Sequence, residues 1–337
     1  MPETRPRGWK RFTQLCLLLV AAAGCGRAER ASGPAELRSA LQVPQFRNPL
    51  APTLLRTWRQ PGLVFEQVQF QGRYGQFIPA LICYSELGRS RRLPAVLCMP
   101  GSPNRKEDLL QPLDLLPRWA DQGFFLMSID RPYHGERGGD LAAAIRQKGL
   151  ARVWGEYVYD LMRAVDYLQT RPEVDGDRIG MLGLSMGGME ALLLAVLDTR
   201  VQVAVSVGGQ LTWEEVFRGP AWKLIFGGLD LGLQLQREGV SGQQAWQRFQ
   251  QAYPEMKLVD AQRLAPLLAP RPLLLMTGRD DPYVPPDAAL RVFEASRPRY
   301  QEEGQPDRLA LWVDPDTGHG FSAQMQSRAL AWFGRWL

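Results

Sequence analysis

The sequence feature that most restricts the fold is a serine placed between two glycines at the end of a largely apolar run. Residues 183–187 read Gly-Leu-Ser-Met-Gly, after the run 178–182 and before the helix-like stretch 190–195. Ser185 is therefore expected on a strand-to-helix turn, which the glycines permit because no side chain blocks the close approach of strand and helix. A serine held clear of a sheet in this way can act as a nucleophile if a base and backbone donors lie beside it.

Eight apolar runs after Pro61 predict the strands of one sheet. The first two alternate between apolar and polar residues and lie close together, which indicates an antiparallel hairpin at a sheet edge. The later runs are continuously apolar and separated by helix-length segments, which is typical of parallel strands buried on both faces. The predicted strands are residues 64–70, 77–84, 95–99, 124–129, 179–184, 201–207, 273–277 and 309–313.

Helices are expected between and after these strands. Segment 153–168 carries apolar residues at a spacing of about 3.6, and segments 288–293 and 323–336 read as two further helices. The stretch of about 210–264, between the predicted sixth and seventh strands, contains several helix-length pieces. We expect it to be an inserted helical cap. It holds three tryptophans, of which at least two should pack the insertion onto the core, namely Trp213, Trp222 and Trp246.

A mostly parallel, eight-stranded α/β sheet with a serine turn after its fifth strand resembles the α/β-hydrolase fold, over residues 61–337. In that family an acid and then a histidine follow the serine along the chain. After the seventh predicted strand, residues 278–285 read Gly-Arg-Asp-Asp-Pro-Tyr-Val-Pro. This is similar to the family's Gly-x-x-Asp-x-x-Val-Pro loop, which implies that Asp281 is the catalytic acid. Asp280 is then expected to be a turn or capping residue.

The chain has two histidines, and each follows a predicted strand. His319 lies in a Gly-His-Gly sequence after the eighth strand, similar to the family's Gly-His loop, which implies that it is the base acting on Ser185. In this role Asp281 would hold the imidazole in the correct tautomer. His134 lies after the fourth strand in a segment similar to the family's Asp-x-x-x-x-His-Gly loop, which implies a structural or pocket-lining histidine.

The resemblance also implies the donors that would stabilise an oxyanion. One is the backbone N–H of Met186, the residue after the nucleophile. The other comes from the loop after the third strand, which reads Met-Pro-Gly-Ser-Pro over residues 99–103. By position Ser102 supplies this N–H, since Pro103 has none. Many relatives have His-Gly where this chain has Pro100 and Gly101.

The N-terminal segment 1–24 looks like a secretory signal. It begins with basic residues, continues with an apolar stretch of about a dozen residues, and ends in small residues before Cys25. That stretch is shorter than the ~20 residues of a spanning helix. The small residues resemble the bacterial lipobox, with Ala22 in place of the usual leucine, which implies lipidation at Cys25. The protein would then be exported and anchored to a bacterial membrane, facing the periplasm or exterior. A cleaved signal or an uncleaved anchor is the alternative.

Residues 25–60 are rich in alanine, proline and arginine with little periodicity, which indicates a tether and an arm around the domain. Cys83 and Cys98 lie in the second and third predicted strands. The family's sheet order implies that these strands are not neighbours, so their Cα atoms would be too distant for the ~5.5 Å of a disulfide. We therefore expect two buried free thiols.

Charge and composition exclude several function classes. The formal net charge is +5, of which the segment 1–24 contributes +3, and no dense basic stripe follows it, so nucleic-acid binding is not expected. Two histidines far apart in sequence and no paired carboxylate cluster give no recognisable metal site. No phosphate-binding glycine loop is present in the sequence, and no cofactor is implied.

The pattern as a whole predicts a serine hydrolase that cleaves small-molecule carboxylic esters through an acyl-enzyme. It resembles the dienelactone-hydrolase and acetyl-esterase branches of the family. One alternative is a serine peptidase of the prolyl-oligopeptidase kind, which shares the order Ser, Asp, His but usually carries a β-propeller before the core. Another is a non-catalytic surface protein on a hydrolase scaffold, because fold alone does not establish function.

Overall fold

The computed structural model describes residues 33–86 and 91–337. The predicted signal 1–24 and Cys25 lie outside this range. Nine strands within the described residues form one sheet. They are β1 (Thr53–Gln60), β2 (Leu63–Gln71), β3 (Phe77–Ser85), β4 (Leu93–Met99), β5 (Phe125–Ile129), β6 (Val174–Leu184), β7 (Val201–Val207), β8 (Leu273–Gly278) and β9 (Leu309–Asp314).

The strand order across the sheet is β1-β2-β3-β5-β4-β6-β7-β8-β9. The pairs from β1 to β5 are antiparallel, and the pairs from β5 to β9 are parallel. All eight predicted strands are present, and the antiparallel pairing of β2 with β3 is confirmed. Because parallel strands share a direction, the loops that follow β4, β6, β8 and β9 meet at one edge of the sheet.

The prediction of eight strands is wrong by one, because the described residues include β1. This strand lies in the segment 25–60, which was expected to be a tether and an arm. It forms the edge of the sheet, and all but one of its residues are exposed. An edge strand exposed on both faces needs no apolar alternation, so the pattern that revealed the other strands is missing.

Helices cover both faces of the sheet. Each face of the sheet has its own hydrophobic core, and successive side chains of β4 pack into different cores. Leu97 packs among the residues of α4 and α5, whereas Val96 packs among those of α2 and α12. The α-helices of the described residues are α1 (Pro34–Ala40), α2 (Leu115–Asp121), α3 (Leu141–Lys148), α4 (Leu150–Thr170), α5 (Met186–Leu197), α6 (Trp213–Arg218), α7 (Ala221–Ile225), α8 (Asp230–Arg237), α9 (Gly242–Ala252), α10 (Ala261–Leu264), α11 (Pro286–Glu302) and α12 (Ala323–Trp336).

The helix α1 also belongs to the domain rather than to a free tether. Leu37 and Leu41 are almost fully buried, and the Arg38 guanidinium donates to the carbonyl of Leu197 at the end of α5, at 3.0 Å. A Cβ on Gly155 of α4 would lie 1.8 Å from the Leu41 carbonyl oxygen. The arm therefore contacts α4 so closely that only a glycine fits there.

The insertion after β7 is helical, as predicted, and comprises α6 to α10. Trp213 and Trp222 are buried and Trp246 is half-buried, which confirms that at least two of these tryptophans pack in a core. Phe217 is the centre of an aromatic cluster within the insertion. Its ring centroid lies 5.0–6.0 Å from those of Trp222, Phe226, Trp246 and Phe249.

The two cysteines of the described strands are free and buried, as expected. Cys83 lies on β3 and Cys98 on β4, and β5 runs between these strands. Burial raises the pKa of the Cys83 thiol to about 12 and raises that of Cys98 as well, so both behave as apolar core residues. Among the described helices, none combines the length and the apolar character needed to cross a bilayer.

Candidate active site

Ser185 lies on the predicted turn, between the end of β6 and the start of α5. Its backbone has φ 54° and ψ −118°, a conformation that non-glycine residues rarely adopt, which costs about 1–3 kcal/mol. Its N–H donates to the Val207 carbonyl at 2.7 Å, which fixes the turn against β7. A Cβ on Gly183 would lie 1.7 Å from the carbonyl oxygen of Gly187. The turn is possible only with glycine there.

His319 and Asp281 meet Ser185 at the edge where the parallel strands end. His319 lies in the loop between β9 and α12, and its Nε2 is 2.8 Å from the Ser185 Oγ. Its Nδ1 is 2.7 Å from the Oδ2 of Asp281, in the loop between β8 and α11. Because a carboxylate only accepts hydrogen bonds, Nδ1 carries the proton and Nε2 is free to accept one from the serine hydroxyl.

Two backbone amides orient the carboxylate of Asp281. Its Oδ1 accepts from the N–H groups of Tyr283, at 2.8 Å, and Val284, at 2.9 Å. The side chain of Asp281 is 1% exposed, whereas that of its neighbour Asp280 is 73% exposed and faces Arg279. Asp281 is therefore the carboxylate that contacts the histidine, and Asp280 is not part of the site.

The two candidate oxyanion donors flank Ser185. Met186 is the first residue of α5, so its N–H has no acceptor within the helix and lies at the positive end of the helix dipole. Ser102 follows Gly101, where an added Cβ would lie 3.0 Å from the Cβ of Ser185. The loop after β4 thus packs directly against the serine.

His134 lies beside this loop rather than beside Asp281. Its Nδ1 donates to the Pro132 carbonyl at 3.0 Å, so its Nε2 accepts the hydroxyl proton of Ser102, also at 3.0 Å. Burial lowers the pKa of His134, and the nearby charge of Arg131 lowers it further. A neutral His134 therefore holds the Ser102 side chain through one hydrogen bond.

A buried ion pair beneath the same loop was missed by the sequence analysis. The Nη2 of Arg131 donates to the Pro100 carbonyl at 2.6 Å and to Glu190 of α5 at 2.9 Å, and Nη1 lies 3.4 Å from the Gly101 carbonyl. Burial raises the pKa of Glu190 to about 7, against the opposing charge of Arg131. The signal that could have revealed the pair is an acidic residue in an otherwise apolar helix.

A second buried charge joins the loops after β4 and β5. Lys106 is 1% exposed, and its Nζ contacts Asp130 at 2.7 Å, Glu107 at 2.8 Å, and Glu136. Asp130 also accepts from the backbone N–H of Lys106 at 3.0 Å. Each charge in this cluster therefore has a partner, which a buried ionic group requires. The cluster fixes the loop that carries Ser102 to the loop that carries His134.

Two clefts meet at Ser185. The first is a cavity of about 360 Å³ between α3, α4 and the insertion. Its lining is largely apolar: Ser102, Leu141, Ile145, Leu150, Val153, Trp154, Tyr157, Ser185, Met186, Gly208, Leu211, Trp213, Leu224, Ile225, Phe226, Leu229, Tyr283, Val284 and His319.

The second cleft is a groove of about 500 Å³ on the other side of Ser185. It is lined by Gly101, Ser102, Asn104, Asp108, Pro112, Leu113, Leu184, Ser185, Val207, Gly208, His319, Gly320 and Phe321. In the part of the chain that the structure describes, no group of three or more His, Cys, Asp or Glu residues could hold a metal ion. The groups nearest the Ser185 hydroxyl are the imidazole of His319, with the carboxylate of Asp281 behind it.

Comparison with known proteins shows which family the chain belongs to. The chain is 28% identical to the Bacillus subtilis protein YtaP, named as a hydrolase, over 69% of this chain and 73% of that protein. It is 26% identical to Bacillus subtilis YitV, named as an esterase, over 80% of this chain and all of YitV.

Among solved structures, an acetyl xylan esterase from Paenibacillus sp. R4 superposes with a TM-score of 0.65 at 19% identity, over 90% of this chain and 93% of that one. At that identity the likeness shows the fold, which is the α/β-hydrolase fold. The sequence model of the prolyl oligopeptidase family matches residues 115–337, about two thirds of the chain, and covers the loops of Ser185, Asp281 and His319. The protein belongs to the prolyl oligopeptidase family.

Proposed function

We propose that this protein is a serine esterase that cleaves carboxylic esters through an acyl-enzyme intermediate. The observation that carries the proposal is the continuous line of hydrogen bonds from the Ser185 hydroxyl through His319 to Asp281. A serine hydroxyl becomes a nucleophile when an oriented base accepts its proton, and this line supplies both the base and the group that orients it. The similar proteins add support, because YitV is named as an esterase and the Paenibacillus structure as an acetyl xylan esterase.

The reaction assigns one role to each group. As the Ser185 Oγ bonds to the ester carbonyl carbon, its proton moves to Nε2 of His319, and Asp281 stabilises the imidazolium. The carbonyl oxygen becomes an oxyanion that accepts from the N–H groups of Met186 and Ser102, each worth about 3 kcal/mol in the transition state. When the C–O bond to the alcohol breaks, Nε2 returns the proton to the leaving oxygen. Water then hydrolyses the acyl-enzyme in the same way.

Peptide hydrolysis is the second candidate, because the family takes its name from a peptidase. A peptidase that binds a free amino terminus needs a carboxylate partner for the ammonium group, since a buried unpaired charge is very costly. Among the described residues that line the apolar cavity there is no Asp or Glu, and the carboxylate on the groove wall, Asp108, already accepts from the Arg105 N–H. This favours esters over peptides with a free terminus.

A labelling experiment with an activity assay tests the proposal. We expect a fluorophosphonate probe to label the folded protein at Ser185, as located by mass spectrometry. We also expect short-chain 4-nitrophenyl esters to be cleaved at least 10²-fold faster than aminoacyl-prolyl 4-nitroanilides. Faster cleavage of the amides would favour the peptidase. Absence of labelling in the folded protein would favour a non-catalytic scaffold.

We further propose that the protein is exported and anchored to a bacterial membrane by lipid on Cys25. The support comes from the sequence: basic residues, then an apolar stretch, then small residues directly before the cysteine. Cells grown with radioactive palmitate should yield labelled protein in the membrane fraction, and Cys25→Ala should abolish the label. Cys16, which lies in the apolar stretch of the predicted signal, provides the matched control, and Cys16→Ala should keep the label. An unlabelled wild type, or a label that persists in Cys25→Ala, contradicts the anchor.

A further inference from the structure

We propose that the acyl half of the substrate is an uncharged hydrocarbon group much larger than acetyl, about six to ten carbons long, bound in the apolar cavity under the insertion. The alcohol half is polar and lies in the open groove on the other side of Ser185. This inference rests on the proposed function, because it takes Ser185 to be the residue that carries the acyl group.

The size of the cavity is the first argument. Its volume is about 360 Å³, many times the ~10–15 Å³ that a cavity needs to hold one water molecule. The methyl of an acetyl group would therefore fill a small part of the space and leave most of the apolar wall without a contact. A longer chain removes more of that wall from water, and each added methylene is worth about a fourfold increase in binding or in kcat/KM.

The chemistry of the wall is the second argument. Ser102, Ser185 and His319 line the cavity at its catalytic end, together with Tyr283. There Gly101, next to Ser102, packs on Ser185, and the Tyr283 ring lies 4.6 Å from the imidazole of His319. The remaining lining comes from aliphatic and aromatic side chains of α3, α4 and the insertion. Besides the indole N–H of Trp154 and the hydroxyl of Tyr157, these side chains offer no free hydrogen-bonding group, so a polar acyl group would lose water there and find few partners, which is costly.

The aromatic residues of the insertion show how this wall is held. Trp213 lines the cavity, but its indole N–H donates to the Met256 carbonyl at 2.9 Å, so it offers a substrate only its ring. Phe226 also lines the cavity, and its ring centroid lies 5.9 Å from that of Trp213. Phe217 and Trp222 do not line it and instead form the core of the insertion behind it. The wall is therefore a supported apolar surface.

The groove on the other side differs in chemistry. Asn104 and Asp108 lie on its wall, with Asn104 exposed and Asp108 half-buried. The Oδ2 of Asp108 accepts from the Arg105 N–H at 2.9 Å, so part of its hydrogen-bonding capacity is already used. Most of the remaining lining is apolar and comes from Pro112, Leu113, Leu184, Val207 and Phe321. The groove is open to solvent, so a hydroxylated alcohol can keep its contact with water there.

The first test separates the two halves of the ester. For 4-nitrophenyl esters of acids from two to fourteen carbons, we expect kcat/KM to rise about fourfold per methylene to an optimum between six and ten carbons and to fall beyond it. For acetate esters of alcohols from methanol to octanol, we expect kcat/KM to change by less than about threefold over the whole series. A maximum at acetyl, or a steep rise along the alcohol series, would overturn the assignment.

Variants locate the effect in the cavity. Val153 is 1% exposed, and Val153→Phe adds four carbon atoms to the wall. We expect the ratio of kcat/KM for the octanoyl ester to kcat/KM for the acetyl ester to fall at least about 20-fold. Val240→Phe is the matched control, since Val240 is half-buried in the insertion and does not line the cavity. It should keep the wild-type profile. An equal loss on both esters in Val153→Phe contradicts the proposal.

A second variant tests the same prediction if the first one misfolds. If the circular dichroism spectrum of Val153→Phe shows that this variant does not fold, Leu229→Phe takes its place. It narrows the cavity from the side of the insertion and should show the same selective loss of octanoyl-ester activity. Labelling of Ser185 by a small fluorophosphonate separates the two proposals. Labelled enzyme with a flat acyl-chain profile overturns this inference alone, whereas unlabelled folded enzyme overturns the proposed function.

Discussion

Replacing Ser185 with alanine should lower kcat for an ester substrate by about 10⁴- to 10⁶-fold, while leaving the fold intact. The alanine has no oxygen to bond to the carbonyl carbon, so the acyl-enzyme cannot form. The residual rate would come from the oxyanion donors and from substrate binding. Steady-state kinetics on a 4-nitrophenyl ester, with active-site titration of the wild type, measures the loss. A fall of less than about 10²-fold would mean that Ser185 is not the nucleophile.

Three companion variants and one control identify the role of each histidine. His319→Ala should lose about as much activity as Ser185→Ala, and the double variant should lose no more than either, because the two residues act as one unit. His134→Ala should cost no more than about 10²-fold, since it releases only the Ser102 side chain and shifts the loop. Ser327→Ala is the matched control, because Ser327 is exposed on α12. An equal loss in His134→Ala and His319→Ala would reopen which histidine is the base.

Replacing Arg131 with methionine should lower the free energy of unfolding by about 3–5 kcal/mol at pH 9. Arg131 and Glu190 are almost fully buried, so removal of one partner leaves the other charge without compensation. The carbonyls of Pro100 and Gly101 also lose their donor. Because these carbonyls belong to the loop that carries Ser102, kcat should fall about 10- to 100-fold. Urea unfolding followed by circular dichroism measures the first effect.

The pH dependence of this loss has a definite sign. The pKa of Glu190 is raised in the folded protein, to about 7. The protonated Glu190 therefore stabilises the fold at low pH, and this stabilisation is lost as the pH rises from the pKa of Glu190 in the unfolded chain to its pKa in the folded protein. Without Arg131 the folded pKa is higher still, so the loss continues to higher pH. The deficit of Arg131→Met should therefore be smaller at pH 6 than at pH 9.

The double variant Arg131→Met with Glu190→Met separates stability from positioning. Replacing a buried pair by apolar side chains of similar volume is often neutral, so we expect stability near that of the wild type at pH 9. Because Glu190 is absent, the deficit that grows with rising pH in Arg131→Met should disappear. The loop carbonyls stay without donors, so kcat should remain low. A double variant with full activity would show that the pair does not position the loop. A deficit of Arg131→Met below about 1 kcal/mol at pH 9 would contradict the buried-pair interpretation.

Much of the fold could be predicted because buried parallel strands leave a strong pattern. The runs that became β4 to β8 are largely apolar, since both faces of these strands are covered. The strand β1 leaves no such pattern, because it lies at the sheet edge with nearly all of its residues exposed. The helix α1 was missed for a related reason: it is a short segment, Pro34–Ala40, with too few turns to show a periodic apolar stripe.

The candidate site also has a part that could be predicted from the sequence and a part that could not. Ser185, Asp281 and His319 could be named from the chain because each lies in a short loop whose local residues and order resemble those of a family. The pairing of Arg131 with Glu190, and of Ser102 with His134, could not be named. Each joins loops or helices that are distant in sequence, and such pairs depend on how β4, β5 and α5 lie side by side.

The chain alone established the local chemistry: a strained serine turn, an acid loop, a histidine loop, and buried strands to hold them. These features follow from short-range backbone geometry and from the burial of neighbouring side chains. The folded structure was needed for the partner of each buried charge, for the edge strand, and for the division of the surroundings of Ser185 into an apolar cavity and a more polar groove. The reason is physical: a cavity and an ion pair are formed by side chains far apart in sequence, and packing alone determines which of them meet.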